Sequence, residues 1–195
     1  MKLKFIKHHK IRLQFVTFNH PIIELKHLFM KKLLLFLFLI LSTLSWSQTA
    51  EDYFDQAIKK SNAGNSQGAI LDYTKAIKLK PTFGEAYLNR SMEKFKQDNF
   101  EAALVDANKA LELHEDNTYA YTTRANIYYK LKDYKAALKD CNVAIKNNSG
   151  DYITYNLRGL TYIHLEDKKS ACSDFAKAEK LGSQSATKNL KMFCK

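Results

Sequence analysis

Proline and glycine are nearly missing from this chain, at two and six residues in 195. No low-complexity linker can be built from so few, so the units the chain holds are contiguous. The equipment of catalysis is missing too. No nucleophile–base set, carboxylate pair, phosphate-binding glycine loop or HExxH run occurs. An enzyme is therefore not expected. Metal chemistry has little to work with. Beyond residue 47 the histidines are His114 and His164, and Cys141, Cys172 and Cys194 lack zinc-ligand spacing. Neither a metal nor a cofactor is expected. Long apolar runs are also scarce. Leu33 to Leu41 is an apolar stretch of nine residues, whereas crossing ~30 Å of hydrocarbon takes about 20.

Acid is scarce in one region only. Residues 1–47 hold eight Lys/Arg against Glu24 alone, and residues 48–195 hold 23 against 19 acids. The formal charge of +11 thus sits mostly outside the larger part of the chain. There the signs are interspersed, as on a solvated helical surface, and no nucleic-acid partner is expected. The basic end has a recognisable order: Lys31-Lys32, then the apolar run, then Ser45-Trp46-Ser47 before Gln48. This is the pattern of a cleaved secretory signal peptide over 30–47. No cysteine lies near the cleavage point, so the bacterial lipoprotein signal is lacking. The pattern places the initiator at Met30, with 1–29 a mis-assigned or non-structural leader. An uncleaved anchor and an organelle transit peptide are the alternatives. The membrane is expected to matter only through this export signal, with the mature chain in the periplasm, cell envelope or outside.

What the chain does have is a period. Tyr53, Tyr87, Tyr121 and Tyr155 are spaced by 34 residues, and so are Ala69, Ala103, Ala137 and Ala171. Asp72, Asp106, Asp140 and Asp174, and Ala76, Ala110, Ala144 and Ala178, hold the same spacing. Four columns kept through four copies mean a repeat array. The copies span about 50–83, 84–117, 118–151 and 152–183. Each opens with a helical stretch whose recurring residues share one face, such as Tyr121, Arg124, Ala125 and Tyr128. A polar turn follows, where Gly64 can take the positive φ that ends a helix. A second helix then carries the paired alanines. Residues 184–195 form one more amphipathic segment, whose Leu190 and Phe193 suit a cap on the last copy.

These residues resemble the tetratricopeptide repeat (TPR) family. Its pattern is matched by Tyr121, Ala125, Tyr128, Tyr134, Ala137 and Ala144 in the third copy. Tyr155, Gly159, Tyr162, Ala171, Phe175 and Ala178 match it in the fourth. Pro81 supplies the terminal proline in the first copy alone, and Lys60 stands where an aromatic is usual. The resemblance implies an all-α, right-handed superhelix of four helix-turn-helix units with a C-terminal capping helix. It also implies a non-catalytic adaptor that holds another protein or peptide in a concave groove, most simply as a monomer. The groove positions implied are Phe54 and Ile58 in the first copy, and Leu88, Met92 and Phe95 in the second. The third copy offers Tyr119, Thr122, Asn126, Tyr129 and Lys130, and the fourth Asn156, Leu160 and His164. The lysine–asparagine clamp by which some family members grip a terminal carboxylate is not matched, because Phe54, Ile58, Tyr119 and Thr123 occupy its places. Two other readings stay open: a glycan-binding accessory working through tyrosines, and a membrane-tethered spacer.

The recurring Arg90, Arg124 and Arg158 are read with the aspartate column as packing groups, with the pairing register open. Cys141 stands in a buried column. An exported chain meets an oxidising compartment, and a Cys172–Cys194 disulfide stapling the cap is expected.

Overall fold

The computed structural model describes residues 26, 28–34 and 48–195. The chain divides into two units, Met1–Ser47 and Gln48–Lys195. In the first, residues 28–34 are helical and exposed. The rest of the expected leader and signal peptide lies outside the described residues. No helix among the described residues is long and apolar enough to cross a membrane.

The second unit is all helix. Its pairs are α1 (Ala50–Asn62) with α2 (Ser66–Leu79), α3 (Gly84–Lys96) with α4 (Phe100–Leu113), and α5 (Thr118–Lys130) with α6 (Tyr134–Asn147). Then come α7 (Tyr152–His164) with α8 (Lys168–Lys180), and the single α9 (Gln184–Phe193). Short polar side chains start most of them. Asn65, Asn99, Asp133 and Asp167 each accept a backbone N–H from the first turn of the second helix in a pair. Such a cap is worth about 1 kcal/mol. The turn before each cap has its own period. Gly64, Asp98, Lys132 and Glu166 all adopt left-handed backbone, at φ 76°, 56°, 64° and 62°. The sequence signalled only the glycine; the other three take the same conformation against their side chains.

Each helix packs on its neighbours in sequence, and α3–α5, α5–α7 and α7–α9 also touch. The first helices of the pairs therefore line one face, and the second helices form the other. The alanine columns make this possible: Ala69, Ala103, Ala137 and Ala171 are all fully buried. A second pair of positions trades volume between copies. Ala57 faces Tyr73, whereas in the fourth copy Gly159 leaves room for Phe175. A methyl group on Gly159 would meet that ring at 2.6 Å.

The arginine and aspartate columns resolve into one repeated device. Arg90 donates from Nε and Nη2 to both carboxylate oxygens of Asp106, each at 2.7 Å. Arg124 does the same with Asp140, and Arg158 with Asp174. The pairing is thus within a copy, from the first helix to the second. The remaining nitrogen, Nη1, reaches back to the preceding copy, to Thr74, Asn108 and Asn142 respectively. Each guanidinium so ties three helices. Gln56 holds this position in the first copy, where no helix of the array precedes it among the described residues. Asp72 is held there by Lys60 and Lys75 instead. At the other end Leu190 and Phe193 pack against Ala171, Phe175 and Ala178. Cys172 and Cys194 form a disulfide with Cα atoms 5.7 Å apart. Cys141 is a buried free thiol, pushed up to about 12 by burial.

Candidate functional site

The face lined by α1, α3, α5 and α7 is where the copies differ, and its side chains fall into two groups. One group is consumed by contacts with neighbouring helices of the array. Phe95 packs with Phe100 on the cluster of Ala103, Ala107 and Ile127. Leu88 is buried against Ala110, Leu111 and Ala120. Thr122 shares a 2.7 Å hydrogen bond with Thr154. Asn156 accepts one from Asn189 on α9. Tyr129 is hydrogen-bonded through its hydroxyl to Nε2 of His164, whose ring stacks on Tyr134 at 4.4 Å. Leu160 joins the cluster around Phe175. Phe54 leans on Tyr73 and Phe83. These side chains are taken up by packing within a copy or between one copy and the next.

The other group remains open to solvent. Met92 is 44 % exposed and Tyr119 75 %. Lys130 is exposed, and Asn126 and Ile58 are partly so. Ile58 and Met92 share a cavity of about 360 Å³ between α1 and α3. Its other walls are Ser61, Asn62, Asn89 and Lys96, with Tyr73 and Glu93. This is the step in the array where the packing seen at α3–α5, α5–α7 and α7–α9 gives way to an opening.

Glu93 is the residue that the sequence reading missed. It is 2 % exposed, and Oε1 accepts hydrogen bonds from Ser61 and Lys96, both at 2.6 Å. Burial pushes its carboxyl up, but hydrogen bonds from Lys96, Ser61 and Ser66 together outweigh that, so it titrates below the usual range. The acid is ionised. Oε2 is buried with no hydrogen-bond partner. Tyr73, below it, has its phenol pushed up to about 12, chiefly by burial. A signal for Glu93 was available. The equivalent positions one and two copies later are Ile127 and Thr161, both fully buried, so the period puts Glu93 in a core slot.

Nothing in this arrangement is set up to break a covalent bond. It offers an apolar wall, hydroxyl and amide groups, and the paired charges of Glu93 and Lys96. Among the described residues no group of three or more His, Cys, Asp and Glu could hold a metal ion.

The family model described as tetratricopeptide repeat matches residues 118–151 and 152–181. No curated protein matches the sequence. Among solved structures, the crystal structure of MamA is similar at a TM-score of 0.65 and 22 % identity, over 71 % of this chain and 81 % of that one. TTC0263, a thermophilic TPR protein of Thermus thermophilus, gives 0.62 and 17 %, over 69 % and 75 %. The first TPR of Spaghetti (RPAP3), bound to the HSP90 peptide SRMEEVD, gives 0.55 and 25 %, over 57 % and 90 %. The likeness to the first two is one of fold.

Proposed function

This chain is a tetratricopeptide-repeat protein, and we propose that it is a non-catalytic adaptor that holds a segment of another protein against its concave face. The observation that carries this reading is the opening between α1 and α3. Further along that face Thr122, Tyr129 and Asn156 are taken up by contacts with the next copy or the cap. At the opening Ile58 and Met92 stand at a cavity large enough for a partner's side chain. Tyr119, further along, extends the same exposed face. The first TPR of Spaghetti (RPAP3), bound to the HSP90 peptide SRMEEVD, supports the mode of action.

The Lys31-Lys32 start, the apolar run and the Ser45–Ser47 pattern support export. The site of action proposed is therefore the periplasm or cell envelope. The glycan-binding alternative is the weaker one, since Tyr129 spends its hydroxyl on His164 and its ring on Tyr134 and His164.

Affinity capture from an envelope extract tests the reading. The native chain is compared with a Met92→Ala/Tyr119→Ala double variant, which removes exposed side chains and leaves the packing groups in place. Loss of a specific captured protein in the variant is the expected result. Identical captures reject the concave face as the binding site.

A further inference from the structure

Among the described residues five carboxylates are buried in the array, and four of them are fully engaged. Asp106, Asp140 and Asp174 each have both oxygens on one arginine. Asp72 has one lysine on each oxygen. Glu93 alone among the described residues keeps a buried side-chain oxygen with no partner. The hydrogen bonds it accepts from Ser61 and Lys96 are both on the other oxygen, and the Ser66 hydroxyl lies close enough to help hold the acid ionised. An ionised carboxylate can accept at both oxygens, and leaving one bare in the interior is costly. The cost is also avoidable, because the next copy fills the same slot with Ile127. A charge kept where an apolar residue fits is the signature of a site built for something else. The second observation is its place: Glu93 lines the cavity between α1 and α3.

We infer that the Glu93 cavity is a subsite for an arginine side chain of the partner, its guanidinium pairing with the Glu93 carboxylate and its neighbouring apolar groups lying on Ile58 and Met92. The inference rests on the adaptor reading and names the chemistry of what is held. Three features favour a guanidinium. It is weakly hydrated, flat, and presents parallel donors that match both carboxylate oxygens at once. The chain itself uses that geometry at its three buried arginine–aspartate pairs. Lys96, the present counter-charge, is 52 % exposed, so its ammonium can swing into water as the ligand enters. Because Glu93 is buried, Lys96 can leave only as the incoming guanidinium replaces its charge. Ser61 and Asn89 also line the cavity.

The signs of the mutational effects separate this site from its opposite. For an arginine ligand Lys96 is a competitor, and for an acidic ligand it is the anchor. The test follows the Met92 methyl resonance of the full chain on titration with acetyl-Leu-Arg-Leu-amide, with Leu-Gln-Leu and Leu-Glu-Leu versions as the other arms. The arginine peptide is expected to move that resonance, and the glutamate peptide not to. Glu93→Gln should weaken binding about tenfold or more, as loss of a charged hydrogen-bond pair does. Lys96→Met should tighten it. Glu93→Leu, which copies the apolar slot of the next copy, should abolish binding while thermal stability is kept or raised, so loss of binding is not loss of fold. The inference is overturned if the arginine peptide leaves the Met92 methyl unmoved, if the glutamine or glutamate peptide binds as well, or if Lys96→Met weakens binding. Those results would leave the envelope capture and its dependence on Met92 and Tyr119 untouched, so the two readings fail separately.

Discussion

At the scale of single residues, the array depends on pairs of positions whose sizes are matched. Gly159 and Phe175 are the tightest. A Cβ at Gly159 would sit 2.6 Å from the Phe175 ring, inside a cluster built on the fully buried Ala171, Phe175 and Ala178. Gly159→Ala is therefore expected to destabilise the chain by about 1–3 kcal/mol, the usual cost of overpacking, read as a lower urea midpoint. Combining it with Phe175→Leu should recover part of the loss. The guanidinium groups set a second residue-scale expectation. Arg124→Met would leave Asp140, itself buried, without its two donors, at a cost of about 3–5 kcal/mol. The double variant Arg124→Met/Asp140→Leu should be markedly more stable than the single one, and a double-mutant cycle in urea measures the difference. The residue scale is also where the sequence was least legible. Repetition exposed Arg124 and Asp140 as a pair of columns, but it gave no direction to the pairing. That direction depends on which second helix lies behind each first helix. Glu93 went unnoticed for the opposite reason: it does not repeat, and its burial is visible only through the identities of Ile127 and Thr161.

Among elements, α9 is the one whose attachment is covalent. It packs through Leu190 and Phe193 on α8 and α7, and the Cys172–Cys194 bond closes a loop of 22 residues. A closed loop of that size is worth about 3 kcal/mol in the chain-entropy account. Cys194→Ser is expected to lower stability by that order, with α9 amides losing hydrogen-exchange protection first. Thiol labelling checks the assignment of the bond. The native chain should take up no label, since Cys141 is buried and its thiol is held protonated by burial. The unfolded, unreduced chain should take up one. The elements were the most readable part of the sequence. The paired helices, the polar turns between them and the cap all follow from period and composition. The groove was read less well. Positions such as Phe95, Thr122 and Asn156 face the concave side, but each is taken up by the next helix along that side. A pattern for one repeat does not contain that neighbour, so it cannot separate a side chain that greets a partner from one that spaces the copies.

Across the whole molecule, the two ends are held differently. The last copy is closed by a disulfide, whereas the first relies on Lys60 and Lys75 around Asp72. Burial raises the Asp72 carboxyl, and the hydrogen bonds from the two lysines outweigh it, so it titrates below its ordinary value of 3.8. A carboxyl lowered on folding gives its full stabilisation above the unfolded pKa and loses it as pH falls through the folded one. Stability should therefore drop on acidification below about pH 4, with a shallower slope in Asp72→Asn. Thermal melts across the acid range provide the measurement.

The backward reach of the arginines has a consequence for growth by duplication. Each 34-residue copy from the second onward carries its own fastening to whatever second helix precedes it, and Thr74, Asn108 and Asn142 all serve as the receiving group. Tandem insertion of a further 118–151 unit would thus lengthen the array without inventing a new joint. A duplicated 50–83 unit would not, because Gln56 brings no guanidinium to the seam. The fastening makes the later copies interchangeable modules and leaves the seam between the first two copies, with its cavity and the bare carboxylate oxygen of Glu93, as the part that could diverge without spoiling the rest.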